Sequence, residues 1–478
     1  MNQKLPYDPA SPQSILEHAS RLLNKSLRDL YPNADEKIGG KGGLGQAVES
    51  LHFGYQPNCE SQPDFNEAGL ELKCTPLKAL ANGNITAKER LVLNIINYMD
   101  EADKTFETSS FWLKNAHLLL MFYMHRSDTP RIDLVFKIIR NWQIPETDKK
   151  IFMDDWNKIH EKIVAGRAHE LSEGDTLYLA ACTKGSKGGA NKRQQPGSKI
   201  AADQRAYSIK RSYMDAILLQ SIDDTSVKTD VTLTKTQRDK IKKHLADCGS
   251  IVTDQSQYQP EQTFEDLVIS RFIPFYGKTI KEIEQVTGAN FNPDSKGLAY
   301  DICRTILGVK QRHIAEFEKA DVILKSIRLE ANRNHVKESM SFRAFSYLDI
   351  ATQQWEESDW YGELTSRFLF AVFRKSPDGD NKKAKLVKLT FWAMPSADLE
   401  AARTLWLDTQ QKVIKGDYDN FITSKSNPVC HVRPHARDNN DTSPTPQGYQ
   451  LPKKSFWLNN DYIPVSYTHL RAHETELH

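Results

Sequence analysis

Apolar residues recur at three- and four-residue steps between positions 12 and 30, where Ile15, Leu16, Ala19, Leu22, Leu23, Leu27 and Leu30 share one side of a helix. Ser11-Pro12 supplies a cap and first-turn pair for it. A glycine-rich loop follows, Gly39-Gly40-Lys41-Gly42-Gly43-Leu44-Gly45, and then a short helix through Val48 and Leu51. Leu70-Glu71-Leu72-Lys73 alternates as a half-buried strand does. The unbroken apolar run Leu118–Tyr123 predicts a central buried strand. Residues 154–164 read as a helix with Trp156, Ile159 and Ile163 on one face, and Leu177–Ala181 as a further strand. The basic, glycine-rich segment 183–199 predicts a surface loop. Residues 222–262 are polar and poor in aromatics, with one helical pattern near Thr236–Leu245, and predict a linker between two halves.

The second half echoes the first in order. Arg271-Phe272-Ile273 through Ile283 falls where Arg21-Leu22-Leu23 through Leu30 fell, and Ile306-Leu307-Gly308 where His52-Phe53-Gly54 fell. Glu316 through Lys325 echoes Asp64 through Lys73, and Phe368–Phe373 echoes the run ending at Tyr123. Cys430–His435 and Lys453–Phe456 answer Ala181–Lys184 and Lys210–Tyr213. A period of about 250 residues means duplicated domains and not a solenoid, with two unrelated domains as the alternative. Val465–His478 fits neither half and reads as a non-native tail.

Composition narrows the class. In 478 residues, 39% are apolar, enough for one or more cores and against a disordered chain. With 64 Lys+Arg against 62 Asp+Glu, a nucleic-acid signal can only be local. No long apolar run predicts a membrane span, and the start carries no export signal, so a cytoplasmic protein is expected. Six cysteines without a CxxC pair speak for reduced thiols and against structural zinc.

The chemistry concentrates in Asp64-Phe65-Asn66-Glu67-Ala68-Gly69-Leu70-Glu71-Leu72-Lys73. On a strand, Glu71 and Lys73 share a face while Leu70 and Leu72 turn to the core. A turn helped by Gly69 can return the Asp64 carboxylate to that of Glu71. Two such carboxylates repel unless a cation lies between them, and hard oxygen ligands with open positions suit Mg2+. The Lys73 ammonium can hold and activate a water for in-line attack on phosphorus, a recipe for phosphodiester hydrolysis. As a bare pattern D-x6-E-x-K is weak. Glu49, after the glycine loop, offers a third acid, and Lys114, before the apolar strand, a contact to the scissile phosphate. Gly40–Gly45 formally matches GxGxxG but follows no buried strand, so a dinucleotide site is excluded.

The run Gly42–Glu49, then Asp64…Glu71-Leu72-Lys73-Cys74-Thr75-Pro76, Glu107-Thr108-Ser109, Asp155-Trp156 through Gly166, and Leu177-Tyr178-Leu179 resembles the MutH class of DNA endonucleases. The whole chain is similar to the two-copy type II restriction enzymes of that class that cut at GATC. The resemblance implies an α/β restriction-endonuclease-like fold, the PD-(D/E)xK mixed sheet flanked by helices, present twice in tandem. It implies a catalytic domain over 1–221, a linker over 222–262, a non-catalytic DNA-binding effector domain over 263–464 and the tail over 465–478. It places Mg2+ on Asp64 and Glu71, with Lys73, Glu49 and Lys114 completing the catalytic set. Across the repeat Asp64 becomes Glu316, Glu71 becomes Ile323 and Glu49 becomes Cys303, while Lys73 persists as Lys325. Ile323 cannot ligate a metal, so the second half should bind a second DNA site without cutting.

Clustered basic residues supply the DNA contacts: Lys184, Lys187, Lys192, Arg193, Lys199, Arg205, Lys210 and Arg211 in the first half, Arg433, Arg437, Lys453 and Lys454 in the second. In the resemblance the loop after Leu177-Tyr178-Leu179 enters the groove and reads bases. Double-stranded DNA, in two copies of the site, is the implied partner, bound by a monomer with pseudo-dimeric halves or by chains associating on DNA. The alternatives are a mismatch-repair-type GATC nickase and a non-enzymatic DNA-binding protein. The first is disfavoured by the duplication, and the second leaves Asp64, Glu71 and Lys73 without a purpose.

Overall fold

Leu118–Phe122 is fully buried, as an apolar run without polar interruption requires, and the first sheet is built around it. The computed structural model describes residues 5–34, 43–55, 62–80, 82–184 and 191–463. The chain divides into two units. The first comprises Met1–Leu171, Thr176–Gln259 and Gln311–Ala320; the second comprises Ser172–Asp175, Pro260–Lys310 and Asp321–His478.

The strands of the first unit are β1 (Glu71–Ala79), β2 (Ile85–Ala87), β3 (Leu91–Ile95), β4 (His117–Met124), β5 (Phe136–Gln143), β6 (Leu179–Thr183), β7 (Lys192–Gln195), β8 (Ser198–Asp203), β9 (Arg205–Ile209), β10 (Lys228–Thr229), β11 (Cys248–Gly249) and β12 (His313–Ile314). The main sheet has the order β10-β5-β4-β1-β2. It is mixed: β1 and β4 run parallel with Glu71 opposite Leu118 and Lys73 opposite Leu120, and the other neighbours are antiparallel. Ile15, Ala19, Leu44, Val48 and Phe53 from the preceding helical segments pack with Leu70, Leu72, Leu119 and Met121 in one core. A second sheet, β3-β9-β6, is antiparallel. The long helix Glu146–Val164 sets Phe152 against Tyr178 and Tyr213.

The second unit holds β13 (Ile323–Leu329), β14 (Met340–Ala344), β15 (Phe368–Arg374), β16 (Lys385–Trp392), β17 (Cys430–Pro434), β18 (Thr442–Pro444), β19 (Gln450–Pro452) and β20 (Lys454–Leu458). β13 pairs parallel with β15 and β15 antiparallel with β16, and β14-β20-β17 form an antiparallel sheet. The helix Ser396–Lys415 buries Leu405, Trp406 and Val413.

Three expectations change. The helix over 12–30 is broken into Pro12–Ala19, a 3-10 turn Ser20–Leu22 and Leu27–Leu30. Leu23 forms a β-bridge to Phe136, and Asn24, at φ 57°, donates its N–H to the Phe136 carbonyl at 2.8 Å. Pairing with the sheet has replaced the helical bonds there. The loop over 183–199 contains a hairpin, β7 and β8, turned at Gly197 with φ 63°; residues 185–190 lie outside the described residues. The stretch 222–262 is not a bare linker. Up to Gln259 it belongs to the first unit, where β10 pairs with β5, the helix Lys235–Ala246 starts with a Thr234/Gln237 capping box, and β11 pairs with β12. Two-residue strands carry no periodicity, so the sequence pattern could not announce them. Gln311–Ala320, including Glu316, also joins the first unit. The tail, from 464 onward, lies outside the described residues, and no described helix is long and apolar enough to cross a membrane.

Candidate active site

Asp64 and Glu71 are brought together by a loop that closes on itself. Phe65 and Leu70 exchange backbone hydrogen bonds at 2.9 and 3.1 Å around a 3-10 turn Asn66–Ala68. Gly69 reverses the chain at φ 60°, a conformation glycine adopts without a steric cost. Two reciprocal bonds then lock the acids side by side. The Asp64 N–H donates to Glu71 Oε2 at 3.0 Å, and the Leu72 N–H donates to Asp64 Oδ2 at 3.0 Å.

Glu71 opens β1 at its N-terminal end and is 2% exposed. Leu70 and Leu72 point to the core as their alternation predicts. Lys73 Nζ donates to Glu71 Oε1 at 2.5 Å, and Lys114 Nζ lies 3.8 Å from the same oxygen. Lys114 comes from the helix Ser110–Asn115, whose start is capped by Ser109 accepting from the Trp112 N–H at 3.1 Å. That helix runs directly into β4, and because β4 is parallel to β1 it delivers Lys114 to the end where Glu71 stands.

Glu49 arrives from the other side. It lies in a π-helical turn, Val48–Phe53, that continues the helix Gly43–Ala47 and ends at Gly54 with φ 76°. π-turns inside helices mark functional sites often enough to be noted. Burial first, then the Asp64 and Glu71 charges, push the Glu49 carboxyl up to about 7, against the opposing pull of Lys73 and Lys114. The Glu71 carboxyl is also raised, by burial above all. Asp64, Glu71, Lys73 and Lys114 therefore meet through direct contacts, and Glu49 lies near enough to feel the charges of all four.

One participant was not foreseen. Tyr55, just past the π-turn, lies near enough to the acids that, after burial, the charges of Asp64, Glu49 and Glu71 oppose its ionisation. A tyrosine after a Phe-Gly pair carries no periodic or spacing signal that could have singled it out.

What the cluster can hold follows from its donors. Carboxylate oxygens packed at low exposure repel one another unless a cation intervenes, and their hardness and small number suit a divalent ion that keeps several waters. Among the described residues no group of three or more His, Cys, Asp or Glu closes into a protein-only metal cage. A pair of acids with open positions is the arrangement present.

The basic residues sort differently from the acids. Lys184 is exposed at the end of β6. Lys192 pairs with Asp203 at 2.7 Å, and Arg193 bonds Gln204 and the Lys192 carbonyl. Arg205 donates to the Ala181 carbonyl at 2.6 Å, Lys210 to that of Thr176 at 2.5 Å and Arg211 to that of Ala87 at 3.1 Å, so these three brace the fold. In the second unit Arg433 stacks on Trp457 at 4.6 Å, and Arg437 and Lys453 both engage Asp441. Lys454 donates to the Tyr418 carbonyl at 2.7 Å over the Phe421 ring, an internal role. Lys187 lies outside the described residues.

Comparison with known proteins bears on this geometry directly. The type II restriction enzyme Sau3AI of Staphylococcus aureus is 34% identical over 509 aligned positions, covering 94% of this chain and 97% of that enzyme. The chain belongs to the MutH-like type II restriction endonucleases. It is a site-specific deoxyribonuclease of restriction-endonuclease-like α/β fold acting on double-stranded DNA, and its family depends on a divalent metal. The family model described as "DNA mismatch repair enzyme MutH" matches residues 53–155, the span that carries Asp64, Glu71, Lys73 and Lys114. The mismatch repair protein MutH of Shewanella amazonensis is 25% identical over 47% of this chain and 100% of its own length. That of Vibrio campbellii is 22% identical over 45% of this chain and 95% of its own length. A MutH-like endonuclease of this length thus carries about one further MutH length of chain.

Proposed function

We propose that the first unit is the catalytic half of a restriction endonuclease that hydrolyses both strands of DNA at GATC with Mg2+, and that the second unit is a tandem copy of the same fold that binds a further site and activates the first. The observation that carries the reading is the reciprocal bonding of Asp64 and Glu71 with Lys73 and Lys114 on the same Glu71 oxygen. The tandem reading is supported by strand order. A parallel pair followed by an antiparallel partner, then a long helix and an antiparallel three-strand sheet, occurs in each unit. The catalytic part is then the segment we assign as 1–221, extended by the elements up to Gln259 and by Gln311–Ala320, and the effector part the remainder of 263–464.

Asp64 and Glu71 would hold the Mg2+, with Glu49 adjoining; the bound ion supplies charge stabilisation at the phosphoryl and leaving oxygens. The protein's own groups do the rest. Lys73, fixed by Glu71, positions a water for in-line attack and lowers the cost of developing negative charge on it. Lys114 sits where it can pair with a non-bridging phosphate oxygen. Glu49, at a proton affinity near neutrality, can accept a proton from that water at working pH. Exposed Lys184 and Arg193 in the first unit and Arg433 and Arg437 in the second supply phosphate and groove contacts, Arg being suited to guanine edges. Cytoplasmic residence fits a target of cellular or invading DNA.

The test is digestion of a plasmid bearing GATC sites with MgCl2, with end mapping of the products. Linear fragments support the reading, open circles point to nicking, and a gel shift without cleavage points to a binding protein. Glu71→Ala should abolish cutting while leaving duplex binding in CaCl2 largely intact; full activity in that variant overturns the assignment.

A further inference from the structure

Tyr55 holds a buried hydroxyl that has no hydrogen-bond partner among the described residues. Leaving such a group unpaired is costly, so its presence within the field of Asp64, Glu49 and Glu71 asks what it is for. The ring is not free to seek a partner elsewhere. The Tyr55 N–H donates to the Glu49 carbonyl at 3.2 Å, which ties the residue to the π-turn. Its ring stands edge-on to Phe65, centroids 5.5 Å apart, and tilted against Phe53 at 6.4 Å. Phe65 follows Asp64 directly, so the tyrosine bridges the two segments that carry Glu49 and Asp64.

We infer that Tyr55 is a positioning residue, whose hydroxyl donates to the Glu49–Asp64 carboxylate pair and orients it when the site takes up its divalent cation. This rests on the metal-site reading above. Burial and the three neighbouring carboxylates keep the phenol protonated, so it acts as a fixed neutral donor and does not titrate in the working range. Outer partners of this kind orient ligating carboxylates, and their loss costs about 10- to 100-fold in metal affinity.

Tyr55→Phe in the full chain keeps the ring packing and removes one oxygen. The expected result is an unchanged melting temperature in EDTA and a Kd for MgCl2, measured by calorimetry without DNA, weakened about tenfold. Cleavage should need correspondingly more Mg2+, with the KM for DNA unchanged. Phe53→Leu serves as the packing control: it should lower the melting temperature and leave the MgCl2 Kd alone. Wild-type MgCl2 affinity in Tyr55→Phe overturns the role, as does equal weakening in Phe53→Leu. If wild type and Glu71→Ala bind MgCl2 equally, the metal-site reading itself fails, an outcome distinct from failure of the tyrosine's role alone.

Discussion

Lys73 and Lys325 occupy the same register in their sheets. Lys73 lies opposite Leu120 two places into the β1–β4 pair, and Lys325 lies opposite Phe370 two places into β13–β15. Around them the two units diverge. Lys73 faces Glu71, with Lys114 beyond it. Beside Lys325 the place of Glu71 is taken by Ile323, and the helix capped by Ser358, which enters β15 as the Ser109-capped helix enters β4, brings Glu363 where the first unit has Lys114. Arg343 Nε lies 3.5 Å from Glu363, and Lys325 donates to the Ser341 carbonyl at 3.2 Å. Burial lowers the affinity of Lys325 for its proton, with Glu363 opposing that. Gly54 and Gly308 both turn at φ 76°, and five residues before each stand Glu49 and the buried Cys303. The expected counterpart of Asp64, Glu316, spends its carboxylate on the Ile251 and Val252 N–H groups at 2.9 to 3.1 Å. A lysine at the right register is therefore not a site. The acid cluster makes it one: Ile323 and Cys303 stand in the second unit where Glu71 and Glu49 stand in the first, while Glu316, the residue the sequence pairs with Asp64, folds with the first unit and is committed to backbone N–H groups there.

That contrast can be broken by exchange. Glu71→Ile, which installs the second unit's residue in the first, should lower single-turnover cleavage of a GATC duplex on the order of a thousandfold. Adding Ile323→Glu should restore nothing, because Cys303 and Glu363 remain; recovered cutting would show that the second unit is a latent nuclease. Lys114→Glu should cost about a hundredfold in the same assay with little change in duplex affinity, and an unaltered rate would remove Lys114 from the site.

The units also support their second sheets differently. Asp155, from the middle of the long helix and 0% exposed, accepts from the N–H groups of Leu177, Tyr178 and Leu179 at 2.6 to 2.9 Å. Asp155 stands ten residues past Pro145, which precedes its helix; ten residues past Pro395, which precedes the helix Ser396–Lys415, the second unit has buried Leu405, and its strand start is served locally by Asn427, which accepts from Val429 and Cys430 at 2.9 and 3.1 Å. Asp155→Ala should therefore destabilise the first unit by about 3 kcal/mol, leaving three buried donors unmet, against about 1 kcal/mol in the second unit for Asn427→Ala. Urea unfolding read by tryptophan emission measures both, and equal losses would contradict the contrast.

Acid should discriminate least but still visibly. His18 and His52 stack at 4.3 Å and each ring bonds the other's carbonyl, at 2.8 and 2.9 Å, with Tyr31 Oη 3.0 Å from His52 Nδ1. Burial, then the neighbouring His18, pushes the His52 imidazole down to about 4. Between about pH 4 and 6.5 the unfolded chain binds more protons at this residue than the native one, so stability rises with pH through that window and is lost on acidification, at most tenfold in the folding equilibrium per pH unit. The second unit has Ile306 before its Leu307-Gly308 turn. His52→Gln should flatten the first unit's acid sensitivity in pH-dependent melts and leave the second unit's transition unmoved.

The site was legible to the extent that it is local. Asp64, Glu71 and Lys73 lie within ten residues of one another, and a single turn closes the gap. Glu49 and Lys114 could be nominated because each stands at the edge of a readable element. Tyr55 could not, since its meaning comes from a ring contact to Phe65 and a hydroxyl without a partner among the described residues. The basic residues were less legible: Arg205, Lys210 and Lys454 count as charge in the sequence, and only the fold shows that they donate to backbone carbonyls.

From its residues alone, then, this chain determined a half-buried strand at 70–73 and a buried one at 118–123, an acid–acid–lysine loop at the head of the first and the loss of the Glu71 and Glu49 carboxylates further on, because periodicity and short spacings are properties of neighbouring positions. Only the tertiary structure decided which charges face solvent, that 222–259 belongs to the first unit, and that Glu49 and Tyr55 come within the field of Asp64 and Glu71. Those are matters of partners far apart along the chain, and a donor's or an acid's role is fixed by what it meets there.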